Sequence, residues 1–295
     1  MPKVRRALLI VNAKSRSGKT LADEAIAGLH RNGISAAPIE CNAPEDLRQL
    51  ISKNTQNADL IVVGGGDGSL NAAVSGVLDA KLPLGILPLG TANDLARTLG
   101  IPTDLNSAIG VIADGYRKRI DLGSVNGRPY FNVASIGLSV ALAHELTPDI
   151  KRRLGRLGYA LAALRVLSRA RPFRVEIKTP SRSIKSLSLQ IAIGNGRYYG
   201  GGNLVTETAD IQDGILDLYS IEFEEAWKLL LMFWSFRRGE HVRHSEVRDL
   251  RNEKFEIVTR NPRPVNADGE IVTMTPATFE ILPSALEVFV PLKAI

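Results

Sequence analysis

Up to about Leu122 the chain alternates two textures. Short unbroken apolar runs, RALLIVNA, ISAAPIEC, ADLIVVGG and LPLGILPL, have the length of strands buried on both faces. Between them lie GKTLADEAIAGLHRNG, PEDLRQLISKN and SLNAAVSGVLDAK, whose apolar residues recur at helical spacing along one face. Strands alternating with amphipathic helices predict βαβ units, hence an α/β domain with a parallel sheet, Rossmann-like in kind, over residues 1–122.

Beyond Leu122 the period shortens. SVNGRPYFNVASIG, RPFRVEIKTP, IKSLSLQIAIGNG, GILDLYSIE, KFEIVTRNPRPVNADGEI and ALEVFVPL are near-alternating, with Gly, Pro, Asn and Asp clustered between them. These segments predict a mainly antiparallel β-sandwich over residues 123–287. Helical insertions interrupt it near 140–170 and 223–238, and a tail of about 288–295 is expected to return to the first domain.

Composition narrows this picture. A chain of 295 residues exceeds the usual size of one core, and with 44% hydrophobic but only 5% aromatic residues its cores must be filled by aliphatic side chains. The lone Cys41 permits no disulfide within the chain and no cysteine-based metal cage, which suits a reducing cytoplasm. MPKVRRALLIVNA reads as a first strand, because its apolar run is too short for a secretory signal and lacks a cleavage site. No apolar run is long enough to cross a bilayer, so a soluble, cytoplasmic protein is expected.

The net charge of +6 admits phosphates, nucleic acid or an anionic membrane as partners. From Lys151 to Arg174 there are eight basic residues and no Asp or Glu. That patch is either a membrane-docking face or an ordinary solvated helix face.

Two glycine-bearing loops carry candidate phosphate chemistry. AKSRSGKT, residues 13–20, nearly satisfies the phosphate-loop pattern GxxxxGK[ST], with Ala13 in the first glycine's place. Lys19 would then reach the β and γ phosphates; the competing reading is a plain turn opening a helix. The second, VVGGGDGSLNAAV, delivers a strand to Gly64, Gly65 and Gly66, where bare backbone approaches a ligand closely. Ser69 and Asn71 begin a helix whose first amides face the same anion. Asp67 repels phosphate unless a divalent cation lies between, so it argues for Mg²⁺; otherwise it is an N-terminal cap.

ILPLGTANDLARTLG repeats the arrangement, placing Gly90, Thr91, Asn93 and Asp94 at a second strand-to-helix junction. Both junctions belong at the carboxyl edge of a parallel sheet, where ligands bind in such folds. The GxGxxG dinucleotide fingerprint fails, since positions 64, 66 and 69 read Gly, Gly, Ser, and this demotes a nicotinamide oxidoreductase.

GGGDGS with PLGTANDLAR resembles the diacylglycerol kinase catalytic-domain superfamily, specifically its soluble bacterial lipid kinase branch, related to sphingosine and ceramide kinases. The likeness extends nearly end to end. Val11 and Asn12 with Ser17 and Gly18 fall at the family's NPxSG loop, though Ala13 replaces Pro and the loop is longer. NVASIG around Asn132 and GNGRYYGGG from Gly194 to Gly202 resemble its second-domain signatures.

The resemblance implies an NAD-kinase-like first domain and an active site in the interdomain cleft. It implies transfer of the γ-phosphoryl of ATP to a hydroxyl of a membrane lipid such as diacylglycerol or phosphatidylglycerol. Asn12, Gly65, Gly66, Asp67, Gly68, Ser69, Gly90, Thr91, Asn93 and Asp94 would hold the nucleotide. Asp67, Asp94 and Asp121, the last in RIDLGSVN, would form the Mg²⁺ network, and Asp268 in VNADGE would be the base for the lipid hydroxyl. A structural metal is implied at the DGILD loop, held by the Asp213 carboxylate and the backbone carbonyls of Asp210 and Ile215; a β-turn is the competing reading.

Peripheral contact with the inner face of an anionic membrane through Lys151–Arg174 fits a lipid substrate, and a homodimer stays open; nucleic acid is not an expected partner. His241 and His244 read as solvated or packed, since nothing nearby completes a metal shell. The Trp227, Leu231 and Trp234 stripe reads as core, with a lipid-touching lip as the other reading. Two rival functions stay open: a soluble NAD kinase, and a non-catalytic lipid-sensing relative.

Overall fold

A computed structural model of the chain describes residues 4–11, 18–39, 46–145, 166, 168–199, 203–204, 209–222 and 247–292. Asn12, the Lys19 side chain, Cys41, Lys151 to Arg165, Gly200 to Gly202, Trp227 to Phe236, His241 and His244 lie outside the described residues. The chain divides into two compact units. One joins the residues up to Leu122 with those from Leu282 onward, and the other lies within Gly123–Ile281.

In the first unit the elements run β1 (Arg5–Val11), α1 (Gly18–Arg31), β2 (Ile34–Ile39), α2 (Leu47–Asn54), β3 (Leu60–Gly65), α3 (Asp67–Ala80), β4 (Leu84–Pro88), α4 (Asp94–Thr98), α5 (Leu105–Asp114) and the start of β5 (Arg117–Val125). Strands β2, β1, β3 and β4 lie in that order, all parallel. Leu60 to Val63 are essentially inaccessible, as expected of a strand covered on both faces.

Helix α5 is absent from the sequence reading although its apolar residues recur at helical spacing. Ala108, Ile109, Val111 and Ile112 are all buried. Its start is nonetheless marked: Asp104 Oδ1 accepts the Ser107 N–H at 2.9 Å, and this bond pulls the carboxyl below its ordinary range. Gly115, at φ +80°, ends the helix in the left-handed conformation.

The second unit continues with β6 (Arg128–Tyr130), β7 (Val133–Gly137), α6 (Leu138–Glu145), β8 (Phe173–Lys178), β9 (Ser183–Ser188), β10 (Gln190–Gly194), β11 (Tyr198–Tyr199), β12 (Asn203–Leu204), β13 (Leu216–Ile221), β14 (Val247–Asn252), β15 (Lys254–Thr259), β16 (Pro264–Ala267), β17 (Glu270–Met274) and β18 (Ala277–Phe289). One antiparallel sheet has the order β14-β13-β10-β7-β16-β17. The first half of β18 pairs with β15, followed by β8 and β9. Ile136, Ile191, Ile193 and Leu218 from the one set pack on Val175, Ile177, Phe255, Ile257 and Phe279 from the other. This is the sandwich core, mainly aliphatic, with Tyr130, Phe173, Phe255 and Phe279 as its rings.

Two strands differ from the sequence expectation. β14 is an edge strand in which only Val247 is buried, so its VRDLRN sequence lacks the alternation that would reveal it. β18 begins at Ala277, well before ALEVFVPL, since Pro283 and Ser284 look like a break; the chain passes through them with Ser284 at φ +48°. The second half of β18 belongs to the first unit, where it runs parallel to β4 with Val288 opposite Leu84.

Candidate active site

In the first unit the two glycine junctions touch. β3 and β4 are in register to Gly65 opposite Pro88, so the residues that follow leave the sheet side by side. A Cβ on Gly90 would stand 2.4 Å from the Gly66 Cα, and one on Gly65 would stand 2.4 Å from Ser69 Oγ. Only backbone fits there. At Gly68, in the first turn of α3, a Cβ would meet nothing within 4 Å.

Asp67 ties the junctions together: its Oδ1 accepts the Leu95 N–H at 3.2 Å, next to Asp94 in the first turn of α4. Asn93 is buried at φ +51° and folds its side chain onto its own loop, with Oδ1 accepting the Gly90 N–H at 3.0 Å and Nδ2 donating to the Gly90 carbonyl at 2.8 Å. Its amide therefore shapes the loop, whereas Thr91 is exposed. Asp94 and Asp121 are buried, at 4% and 3% exposure, and Asp121 Oδ1 accepts the Ser284 N–H at 2.6 Å.

Among the described residues no three Asp, Glu, His or Cys side chains stand close enough to hold an ion by themselves. Mg²⁺ does not require that, because it is usually held by one or two carboxylates together with substrate phosphates and water. A partly exposed Asp67 beside a side-chain-free cradle and the amino end of α3 fits that mode.

In the second unit Asp268 sits at φ +46° in the Asp268-Gly269 turn between β16 and β17, a conformation that suits Asp-Gly in a tight hairpin. Its carboxylate accepts three backbone N–H groups: Phe131 at 2.6 Å, Asn132 at 3.0 Å and Val133 at 3.1 Å. The NVASIG and GNG segments build this bed. Asn195 Nδ2 donates to the Phe131 carbonyl at 2.7 Å, and the Asn195 N–H donates to the Asn132 carbonyl at 2.8 Å. A Cβ on Gly196 would press within 2.8 Å of Asn132 Oδ1, a buried acceptor with no hydrogen-bond partner among the described residues. Nearby, burial and the Asp268 charge push the Tyr130 hydroxyl well above its ordinary pKa.

In the DGILD loop the carboxylates bond amides of the loop and one arginine. Asp213 Oδ1 accepts the Ile215 N–H at 3.0 Å, as in an Asx turn, and Asp210 Oδ1 accepts the Gln212 N–H at 3.1 Å. The other Asp213 oxygen takes the Arg251 guanidinium, whose Nε also donates to Asp217 Oδ1 at 3.0 Å. Cross-strand register sets this pair, since Asp217 stands opposite Arg251 between β13 and β14. Burial raises the Asp217 carboxyl to about 6, with Arg251 opposing the shift and the Asp213 and Asp249 charges adding to it. No sequence motif pointed to Arg251, because its meaning comes from a strand whose pattern is too polar to read.

Both units match known families. Residues 6–125 match the diacylglycerol kinase catalytic domain, and residues 132–290 match the YegS C-terminal NAD kinase beta sandwich-like domain. The chain is 33% identical over 279 residues to a diacylglycerol kinase of Mycobacterium tuberculosis, covering 92% of this chain and 89% of that one. It is 33% identical over 288 residues to a "Probable lipid kinase YegS-like" of Klebsiella pneumoniae, covering 96% and 95%. In fold it is similar to a crystal structure titled as a diacylglycerol kinase from Bacillus anthracis str. Sterne, with TM-score 0.76 at 21% identity over 100% of both chains. Another structure from that organism gives 0.85 at 23% identity over 99% of this chain and 97% of that one. The chain therefore belongs to the diacylglycerol kinase catalytic-domain superfamily, in its two-domain YegS-like form. It is an ATP-dependent lipid kinase.

Proposed function

We propose that the protein transfers the γ-phosphoryl group of ATP, with Mg²⁺, to a free hydroxyl of a glycerolipid, with diacylglycerol as the first candidate. The observation that carries this reading is the paired glycine junction with Asp67 tied across it, in a chain whose similar proteins are named for diacylglycerol. Phosphoryl transfer asks for positioning and charge neutralisation more than for covalent chemistry. Gly65, Gly66, Gly68, Ser69 and Gly90 bring bare backbone and amides to the phosphates. Asp67 would hold the cation, directly or through water, while Asp94 and Asp121 order the surrounding network. When bound, Mg²⁺ offsets charge on the transferring phosphoryl group.

Asp268 would accept the proton of the lipid hydroxyl, its carboxylate oriented by the three N–H groups of residues 131–133. The orphan acceptor Asn132 Oδ1 beside it is a second point for a hydroxyl donor. We further propose contact with an anionic membrane surface at the cytoplasmic face, supported by the net charge of +6. No helix among the described residues is long and apolar enough to cross a membrane.

The test is transfer of label from ATP in the presence of Mg²⁺ to mixed micelles holding diacylglycerol or phosphatidylglycerol, with NAD as a soluble competitor. Label should move to a lipid, and Asp67→Asn should lower the rate by ~100-fold or more. Transfer to NAD with none to lipid would overturn the reading.

A further inference from the structure

The residues just before β7 take a shape that a regular strand cannot supply. Along an extended chain successive N–H groups point to opposite sides, yet Phe131, Asn132 and Val133 turn three consecutive N–H groups onto the one Asp268 carboxylate. The backbone bends at Phe131 and Asn132 to do this. Consecutive amides curved to one side form a concave nest for an anion. Such a bend leaves its buried carbonyls to find partners elsewhere.

The GNG segment after β10 supplies them. Asn195 Nδ2 donates to the Phe131 carbonyl at 2.7 Å, and the Asn195 and Gly196 N–H groups both donate to the Asn132 carbonyl, at 2.8 Å and 3.1 Å. The carbonyl of Phe131 and the N–H of Asn132 belong to one planar peptide unit, and the carbonyl of Asn132 and the N–H of Val133 to the next. In a trans peptide these two groups point in opposite directions on a rigid plane. Both units therefore stand between Asn195 and Asp268, each gripped by its carbonyl on the GNG side and by its N–H on Asp268 Oδ1, at 3.0 Å and 3.1 Å. A rotation allowed at one end of either plane is passed to the other.

Most of this grip is backbone pairing, which β7 and β10 make up to Val133 opposite Gly194 whatever their side chains. The bond that depends on residue type is the one from Asn195 Nδ2, on a side chain that is 1% exposed. Gly196 guards the same plane from the other side, since a Cβ there would stand 2.8 Å from Asn132 Oδ1 and 3.2 Å from the Asn132 Cα. We infer that Asn195 is a positioning residue for phosphoryl transfer, acting through the 131–132 peptide unit to fix where the Asp268 carboxylate points. This rests on the reading of Asp268 as the group that accepts the hydroxyl proton, and it gives the GNG segment a part in the reaction.

The test is a double-mutant cycle on the full chain, read as label transfer from ATP to whichever of diacylglycerol and phosphatidylglycerol in mixed micelles the wild type labels. Asn195→Ala should lower kcat about 10- to 100-fold, the range that a small misplacement of a reacting group costs, with KM for ATP changed less than about twofold. In the Asp268→Asn background the same substitution should cost less than about twofold, because the carboxylate it orients is already gone. Gly196→Ala, which presses on Asn132 without deleting a donor, should give the same pattern and serves as the second variant should Asn195→Ala unfold. Melting curves establish that each protein assayed is folded. Wild-type kcat in a folded variant, or an equal fold loss in both backgrounds, would overturn the inference while leaving Asp268 as the base. Wild-type turnover by Asp268→Asn itself would instead overturn the reading of Asp268, and this inference with it.

Discussion

Asp268 carries two duties that one substitution separates. As the second residue of a hairpin turn it needs a positive φ, which Asn tolerates as well as Asp. As an acceptor of three N–H groups it needs two oxygens, and Asn brings one nitrogen donor that must face a backbone donor. Asp268→Asn should therefore lower the unfolding midpoint, by a stability loss of about 1.5–3 kcal/mol, in addition to lowering turnover. Calorimetry and the label-transfer assay check the two effects independently. An unchanged midpoint would mean the three bonds do not hold the turn, and unchanged turnover would remove Asp268 from the chemistry.

Asp217 offers a pH signature of its own. Its folded pKa of about 6 lies above the ordinary 3.8, so the folded chain binds the proton more tightly than the unfolded one. The stabilisation from this group is complete below about 3.8 and fades as pH rises through about 6. The stability difference between wild type and Asp217→Asn, read from urea midpoints, should shift in favour of the wild type on going from pH 7.5 to pH 5. A pH-independent difference would show that Asp217 stays charged throughout.

At the scale of elements, the contact between the junctions after β3 and β4 decides how both helices begin. Gly90→Ala forces a methyl against the Gly66 backbone, which has no rotamer by which to yield. It should lower both thermal stability and apparent ATP affinity. Gly68→Ala makes the contrast: its Cβ enters open space in a helical first turn, so stability should hold or rise while ATP affinity falls, if phosphate occupies that space. Melting curves with and without ATP distinguish the two.

The legible elements share a cause. VVGGGDGS and PLGTAND could be read because strand, glycine and helix start follow one another within a few residues, so local chemistry implies local geometry. What escaped depends on partners far along the chain: Ser284 on Asp121, Arg251 on Asp213 and Asp217, and Phe131 to Val133 beneath Asp268. The family resemblance places Asn93 at the nucleotide, and the bonds from its side chain to Gly90 that shape the loop could not be read from spacing. Sequence spacing names residues near a site; it does not say which of them face outward.

For the whole molecule, the return of β18 matters most. Leu286, Val288, Phe289 and Val290 are buried, and Val288 runs beside Leu84, so the last part of the chain completes the sheet built by the first. A fragment of residues 1–122 should lack cooperative unfolding and bind a dye for exposed apolar surface, whereas the same fragment joined by a short linker to residues 282–295 should regain a sharper transition. A sharp transition in the bare fragment would show that β4 tolerates an open edge.

This arrangement also constrains how the protein is made. A ribosome adding about 5–20 residues per second needs roughly 10–40 s between releasing Pro88 and releasing Leu282. During that interval the nascent parallel sheet has an unpaired β4 edge, the kind of surface on which chains associate wrongly. The second unit is synthesised inside that interval, with β7 waiting for β16 and β8 for β15. The order of synthesis is therefore the reverse of the order of completion: the glycine junctions after β3 and β4 emerge first, yet the sheet that carries them closes last, when β18 leaves the tunnel.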